Sequence, residues 1–302
     1  MTESTDPELP RGVALAWGVA AAPQRGPKRE MSVERIVEAA VDLADAEGLS
    51  AVSMAAVAAR LGFTPMSLYR YVTAKDDLIL LMQEEATGVP SELTREGDWR
   101  QRLERLHHEQ VQHYLEHPWV LDVPITGAPV TPNTAAWMDA GLAALADTAL
   151  TYDERLSVVL LVSGQARWAG SVLAGYTRAQ RESGLDDAEV TSREDSLFRL
   201  LISADAYPEL RGAIDEGVFL DDADPFAFGL ARVLDGVAVY LERAAAGGRD
   251  APQPWRELDD ADIADDKGFR AAAKSVREAE KALREARKQA RIAARTARER
   301  LR

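Results

Sequence analysis

The stretch LGFTPMSLYRYVTAKDD, residues 61–77, decides the fold because a helix break is followed at once by a helix start. Gly62 is typical of a residue that ends a helix, and Thr64-Pro65 of an N-cap followed by a proline at the first helical position. Leu68 and Val72 fall with the proline on one side of a helical wheel. The outward side carries groups that a core does not need: Met66, Ser67 and Arg70, flanked by Tyr69 and Tyr71. The stretch therefore predicts a tight turn between two helices.

The sequence on either side predicts further helices around this turn. One begins after Ser32 and ends at Gly48, and another runs from Ser53 to Leu61, each with apolar residues at helical spacing. After the turn, Thr73-Ala-Lys-Asp76 predicts a capping box for a connecting helix. Residues 31–78 are therefore predicted to form a three-helix, helix-turn-helix head.

The outward face of the short helix suits a DNA groove. Arg70 can pair with guanine, and Met66 and Pro65 can contact a thymine methyl group. The hydroxyl groups of Ser67 and the two tyrosines can hold phosphates, and Lys75 can grip the DNA backbone from the start of the next helix. We infer that this helix enters the major groove.

The segment from about residue 32 to 85 resembles the DNA-binding domain of the tetracycline-repressor (TetR) family. The resemblance is carried by ADAEGLSAVSMAAVAARLGFTPMSLYRYVTAKDDLILLM, residues 44–82. It implies an all-α homodimer that usually represses transcription until a small molecule binds its C-terminal domain. It also implies DNA contacts at Thr64, Pro65, Met66, Ser67, Tyr69, Tyr71 and Lys75.

One departure concerns the start of the second helix, where members of the family can place an arginine that reads a base. The matching residues here are Met54-Ala55-Ala56, which cannot do so. Arg70 is the residue that could compensate, so the operator sequence does not transfer from the family.

Residues 1–30 are predicted to form a mobile N-terminal arm. Its basic end, with Arg25, Lys28 and Arg29, could enter the minor groove, as the arms of related folds do. The apolar run at 12–22 imitates a signal peptide, but the residues before it are acidic where a signal is positively charged. We therefore expect no secretion.

The composition is that of a soluble cytoplasmic protein. The chain has no cysteine, which excludes disulfides and thiol catalysis and fits a reducing compartment. No apolar run approaches the roughly 20 residues of a membrane span, so no membrane partner is expected. The net charge of −14 argues against a general polyanion binder, so any DNA contact must come from local patches.

Residues 79–246 are predicted to form a larger helical domain that binds an effector and dimerises. Thr151-Tyr-Asp-Glu154 predicts a capping box that opens a long helix, Ser192 a further helix start, and Asp224-Pro225 the last core helix. By resemblance, the helices at about 152–181 and 225–246 pair with their copies in the dimer.

A ligand pocket among these helices would combine apolar walls with a few polar groups. The side chains that suit it are His113, His117, Trp119, Trp137, Gln165, Trp168 and Tyr176. The alternative is that they are ordinary core residues, as large aromatic residues at helical spacing more often are.

The four histidines cluster between residues 107 and 117, and His113 and His117 have a spacing that can hold a metal. No carboxylate is clearly placed as a third ligand, and no catalytic motif is present. We therefore expect no catalytic residue, metal or cofactor. An enzyme with the histidine cluster as its site is the alternative.

The end of the chain divides into two segments of opposite charge. Residues 247–266 form an acidic linker with a net charge of −5, whereas residues 267–302 hold 13 Lys and Arg against four Glu. Lys and Arg recur at spacings of four and three, which predicts a basic helical tail about 54 Å long if it is helical throughout. An auxiliary DNA contact and a solvated helix are both compatible with it.

These features predict a ligand-responsive, dimeric transcriptional regulator. It would be a repressor that a small-molecule effector releases from a palindromic operator in double-stranded DNA, by shifting the spacing of the two recognition helices. The alternative is a constitutive DNA-binding or scaffold protein without an effector.

Overall fold

Twelve α-helices and no β-strand make up the part of the chain that the structure, a computed structural model, describes: residues 9–19, 31–125, 131–220, 223–249, 263 and 265–300. The all-α prediction is confirmed. The helices are α1 (Arg11–Ala16), α2 (Val33–Glu47), α3 (Met54–Leu61), α4 (Pro65–Leu68), α5 (Lys75–Thr87), α6 (Trp99–Glu116), α7 (Pro132–Ala144), α8 (Tyr152–Ser183), α9 (Asp187–Leu201), α10 (Pro208–Asp215), α11 (Pro225–Ala245) and α12 (Lys267–Arg300). They belong to two compact units, Met1–Gly248 and Arg249–Arg302.

Side-chain caps begin α2 and α3 where the sequence predicts them. The hydroxyl oxygen of Ser32 accepts a hydrogen bond from Arg35 N at 3.3 Å, and that of Ser53 accepts one from Ala56 N at 3.1 Å. Each cap satisfies an amide that has no partner within the first turn of the helix.

The core of the head forms where α2, α3, α4 and α5 meet. Leu68 and Val72 are fully buried in one cluster with side chains of α2, α3 and α5 such as Ile36, Val57 and Leu78. The inward face predicted for the short helix is therefore correct at these two positions. It is wrong at Pro65, which is exposed because α4 has only one turn and the proline stands at its open N-terminal end.

Asp77 joins α1 to the start of α5. Its Oδ1 atom accepts a hydrogen bond from Gly12 N at 2.9 Å, and its Oδ2 atom accepts one from the Thr73 hydroxyl at 3.0 Å. The predicted mobile arm is therefore wrong over Arg11–Ala16, a helix with Val13 buried. The capping box predicted at Thr73 is also wrong, because the N-cap of α5 is Ala74 and the Thr73 hydroxyl donates to Asp77 instead.

The larger part of the first unit is built from α6, α7, α8 and α11. Capping boxes open α6 at Asp98 and α8 at Thr151, the second as predicted. A third opens α9 at Asp186, where the carboxylate accepts from Glu189 N at 2.9 Å. The predicted start at Ser192 is therefore wrong, since this box begins the helix earlier.

The central helix, α8, carries apolar side chains on two of its faces. Val159, Val162 and Ala166 are buried against the neighbouring helices, whereas Leu160 and Leu161 on the other face are more than half exposed. This composition makes α8 long and apolar enough to cross a membrane by those criteria alone. A core helix of a helical domain has the same composition, so the feature is weak support for a span.

Candidate DNA interface and effector cavity

The turn between α3 and α4 is fixed by its backbone. Gly62 has φ 75° and ψ 26°, the left-handed conformation that a residue without Cβ adopts most easily. Phe63 N then donates to Ala58 O at 2.9 Å, a Schellman closure of α3. The turn therefore sets the angle at which α4 leaves α3.

The outward face of α4 is exposed, as the sequence predicts. The side chain of Met66 is 71% exposed, and Tyr69 and Arg70 are exposed beside it. Ser67 is half-buried, and its hydroxyl lies 3.0 Å from that of Thr64, which is exposed. Tyr71 is half-buried and packs against the head core, so its phenol is held at the edge of this face.

The two cations of this surface, Arg70 and Lys75, have no acidic partner in the described part of the chain. Neither Arg70 nor Lys75 forms an ion pair among the residues that the structure describes, and both are exposed. Lys75 is the first residue of α5, where the free amides and helix dipole disfavour a cation. The same amides attract an anion, so the lysine and the helix end together suit a phosphate. Arg25, Lys28 and Arg29 lie outside the described residues.

Two of the predicted pocket residues instead join the head to the C-terminal region. The carboxylate of Asp45, in α2, accepts a hydrogen bond from Trp119 Nε1 at 2.7 Å, and His117 Nδ1 lies 2.9 Å from the same oxygen. Trp119 is buried and sits in the head's own core cluster. Sequence reasoning missed Asp45 because its partners lie more than 70 residues away along the chain.

A second junction ties α7 to the end of α5. Trp137 Nε1 donates to the carbonyl oxygens of Thr87 and Gly88 at 3.2 and 3.1 Å. Asn133 adds two further hydrogen bonds to Glu84. The imidazole of His113 contacts the Trp137 ring edge-on, with centroids 5.6 Å apart.

Gln165 is committed to an internal hydrogen-bond relay. Its Oε1 atom is hydrogen-bonded to His107 Nε2, and its Nε2 atom donates to Phe226 O at 3.0 Å. The relay links α6, α8 and α11. Burial lowers the pKa of His107, and the hydrogen bond that its Nε2–H donates to Gln165 Oε1 partly opposes that shift.

Trp168 and Tyr176 are not brought together with the other predicted pocket residues. Trp168 is 63% exposed and Tyr176 43% exposed, both on the outer face of α8. Desolvation, together with nearby Glu194, raises the pKa of Tyr176.

A small cavity lies among α6, α7 and α8. Its volume is about 10 Å³, close to the least that holds one water molecule. Trp137 is the one predicted residue that lines it; the others are Leu103, Leu106, Gln110, Gly141, Val159, Val162 and Ser163.

Gln110 is the polar group of this cavity that stands out. Its Nε2 atom donates to the Ser163 hydroxyl at 3.3 Å, whereas its Oε1 atom is buried and has no hydrogen-bond partner among the described residues. A buried, unpaired carbonyl is costly, so it is a natural acceptor for a donor on a ligand. Sequence reasoning passed over Gln110 because nothing in the sequence distinguishes it from exposed Gln112 two residues later.

The histidines do not assemble into a metal site. His107, His113 and His117 each have a different partner, and His108 is exposed. Across the described residues, no group of three His, Cys, Asp or Glu side chains is placed to hold a metal ion.

Comparison with known proteins identifies the family. The model for bacterial regulatory proteins of the tetR family matches residues 36–82, and that for tetracyclin repressor-like C-terminal domains matches residues 90–241. The HTH-type transcriptional repressor DrrR1 of Streptomyces coeruleorubidus is 36% identical over 248 residues, which are 81% of this chain and 90% of the relative. The HTH-type transcriptional repressor Rv1353c of Mycobacterium tuberculosis is 25% identical over 232 residues, 74% of this chain and 86% of that protein.

A solved structure with the same fold is that of the Streptomyces coelicolor TetR family protein ActR in complex with actinorhodin. It has a TM-score of 0.59 and 21% identity, and the match covers 71% of this chain and 98% of ActR. The helix-turn-helix head, the helical C-terminal region and both family models agree with the resemblance found in the sequence. The chain therefore belongs to the TetR family of helix-turn-helix transcriptional regulators.

Proposed function

We propose that the chain is a cytoplasmic, homodimeric repressor that leaves a palindromic operator when a small molecule enters the cavity among α6, α7 and α8. The observation that carries this proposal is that Trp137 makes two kinds of contact: its side chain lines the cavity, and its indole N–H is hydrogen-bonded to the end of α5. We propose residues 31–78 as the DNA-binding head, 79–246 as the effector and dimerisation domain, 247–266 as a linker and 267–302 as a tail. α5 crosses the boundary between head and effector domain.

The proposed DNA contacts follow from the exposed groups of α4 and the start of α5. Arg70 is the base reader, because its guanidinium has no ion-pair partner in the part of the chain that the structure describes, and Ala55, the exposed residue at the start of α3, has no polar group. Met66 and Pro65 contact thymine methyl groups. Thr64, Ser67, Tyr69, Tyr71 and Lys75 hold phosphates, and Arg25, Lys28 and Arg29 contact the minor groove.

The dimer would form through α8 and α11. Leu160, Leu161 and Trp168 are exposed on α8, and Phe228 and Val239 are more than 60% exposed on α11. Large apolar side chains in such a row are typical of a surface that a second copy covers. Two heads held in this way can read the two halves of a palindrome.

The effector would open the cavity rather than fill an existing one. Drug-sized ligands need roughly 300 Å³ or more, far above the volume present. A ligand would therefore separate α6 from α7 and displace Trp137, whose indole N–H is anchored on α5. ActR was solved with actinorhodin bound, which supports a small organic molecule as the class of effector.

The DNA part of the proposal is tested by selecting random duplex DNA on the purified protein at about 150 mM salt, near physiological ionic strength. We expect a palindrome to be enriched. With Arg70→Ala, we expect specificity at one position in each half-site to be lost, worth roughly 1–3 kcal/mol. Enrichment of no sequence by a folded dimer would exclude an operator.

The effector part is tested by release of that operator in a panel of small molecules that includes actinorhodin. We expect Gln110→Leu to weaken the response to an active compound while operator affinity stays unchanged. Gln112→Leu is the matched control, because Gln112 lies on the exposed face of the same helix. Equal responses of the two variants would place the effector elsewhere.

The alternative of a constitutive DNA-binding protein keeps one observation in its favour, the filled interior of the C-terminal region. A panel in which no compound releases the operator would support it. A binding role rather than catalysis is proposed because the histidines, the strongest enzyme feature of the sequence, are used in separate contacts.

A further inference from the structure

The last helix has a composition unlike that of the rest of the chain. Residues 267–302 carry a net charge of +9, whereas the remaining residues carry −23, since the whole chain carries −14. α12 (Lys267–Arg300) lies in the second compact unit and beyond residue 241, where the matching family models end. Every Lys and Arg of α12 whose side chain the structure describes is exposed.

Nine of the twelve Lys and Arg positions of α12 form one row along the helix by their spacing in the sequence. They alternate at spacings of four and three residues: 270, 274, 277, 281, 284, 288, 291, 295 and 298. One repeat of seven residues turns the helix about 20° less than two full turns, so the row drifts only slowly around the helix. Over its length of about 42 Å it stays within an arc of about 120° of the helix circumference.

The acidic residues of α12 stand outside this row. Glu278, Glu280, Glu285 and Glu299 each lie about 80° to one side of the local row centre at about 100° per residue. Two of them pair with row lysines, Lys274 with Glu278 at 3.8 Å and Lys288 with Glu285 at 4.0 Å. These pairs are long and well exposed, so they hold the lysines only weakly.

A row of this length matches the phosphate backbone of duplex DNA, which carries one charge per about 1.7 Å of helix axis. An anionic membrane is a poorer match, because it requires a broad face of large apolar residues. Alanine occupies most apolar positions of α12, with Val276, Leu283 and Ile292 half exposed among them.

We propose that α12 is a second DNA-binding element, which lies along phosphates of the duplex and adds affinity without reading sequence. It goes beyond the head that defines the family, and it explains why one helix of an acidic chain collects so many cations on one line. Each neutralised phosphate steepens the dependence of log K on log salt by about 0.9. Three contacts from each of two copies would therefore add about 5 to that slope.

The test compares two double variants of the full-length protein. Arg277→Gln with Arg284→Gln removes two charges from the row, and Arg287→Gln with Arg300→Gln removes two charges about 80° and 180° away from it. Charge change and residue type are the same, and glutamine has nearly the helix propensity of arginine. Far-UV circular dichroism checks that both remain helical.

Binding is measured by anisotropy on a 40-base-pair duplex of random sequence, so that the result does not depend on whether an operator has been found. We vary the salt concentration between about 50 and 200 mM. At about 50 mM salt we expect the row variant, with Arg277 and Arg284 replaced, to bind DNA at least about 10-fold more weakly, and its log K to fall less steeply with log salt. The affinity of the off-row variant, with Arg287 and Arg300 replaced, should change less than about 3-fold.

Two outcomes would overturn the proposal. Equal effects of the two variants would mean that net charge, and not the row, attracts DNA. Row-dependent binding to vesicles of equal anionic and neutral phosphatidyl lipid, with DNA binding unchanged, would assign the row to a membrane surface. Failure to select an operator would weaken the proposed function of the head and leave this comparison intact.

Discussion

Replacing Asp45 by alanine should destabilise the protein far more than its partial exposure suggests. Asp45 is near the end of α2, and its carboxylate receives Trp119 Nε1 at 2.7 Å and His117 Nδ1 at 2.9 Å. Trp119 is only 2% exposed, so its indole N–H cannot turn to water when the carboxylate is removed.

The magnitude follows from these two contacts. An unpaired buried donor costs about 1–3 kcal/mol, and a hydrogen bond to a charged group contributes about 1.5–3 kcal/mol. Because Asp45 and His117 are partly exposed, we take the lower halves of those ranges and expect a loss of about 2.5–4 kcal/mol. For a chain of this size, that corresponds to a fall in Tm of roughly 4–15 °C.

Asp42→Ala is the control, because Asp42 lies one turn earlier in α2 and its replacement also removes a carboxylate that has a partner. Its ion pair with Arg60 is 3.3 Å long, with side chains 59% and 44% exposed, so less than about 1 kcal/mol should be lost. Urea unfolding of both variants at one fixed protein concentration keeps the concentration-dependent contribution of dimerisation the same in the two measurements. Similar losses for Asp42→Ala and Asp45→Ala would refute the view that Asp45 joins the head to the effector domain.

Three further predictions concern stability. Gly62→Ala should cost about 1 kcal/mol in urea unfolding through backbone strain alone, because φ is 75° and no atom lies within 4 Å of an added Cβ; a loss near zero would contradict the left-handed turn. Gly141→Ala should cost about 1–3 kcal/mol of unfolding free energy, because the added Cβ would lie 2.7 Å from a methyl group of Val159. Gly212 is also helical but faces open space, so Gly212→Ala should stabilise the protein by up to about 1 kcal/mol. A larger loss for Gly212→Ala than for Gly141→Ala would contradict the packing of α7 on α8. Burial lowers the pKa of His107, so as pH falls the unfolded state binds the proton first, and stability present above about pH 6.5 should be lost as pH falls through the folded pKa. His107→Gln should therefore make the unfolding free energy less sensitive to pH in this window. The prediction is refuted if the difference in unfolding free energy between about pH 7.5 and pH 5 is the same in this variant and in the unchanged protein.

The local signals of the sequence predicted the head well because its elements are marked by short-range chemistry. Ser32, Ser53 and Gly62 each act on amides or dihedrals within a few residues, and the structure has them in those roles. The N-cap residues Asp186 and Ala74 were missed, although α5 begins at Lys75 as predicted and Asp186 and Glu189 stand at capping-box spacing. Thr73 was misassigned for another reason: its hydroxyl donates to Asp77, which also accepts a hydrogen bond from Gly12 N in α1.

The interior of the C-terminal helical region, the proposed effector domain, could not be predicted in the same way, because its polar contacts join residues far apart in sequence. Gln165 has the same chemistry whether it faces a ligand or, as here, bridges His107 and a carbonyl of α11. Trp137 and Trp168 are equally plausible as cavity residues by type, yet one is buried and the other is 63% exposed. Only the packing of α8 decides which of its faces is inside.

The two junctions explain how a change inside the effector domain could reach DNA in the proposed mechanism. The head is held at the end of α2, by Asp45 to residues just after α6, and at the end of α5, by Trp137 and Asn133 of α7. α6 and α7 are also the helices that face each other across the cavity. A ligand that separates them would move the two anchor points apart, and a head fixed at both points must rotate. Because Leu68 of α4 and Val72 just after it are fully buried in one cluster with side chains of α2 and α5, we infer that the recognition helix would follow that rotation as one body.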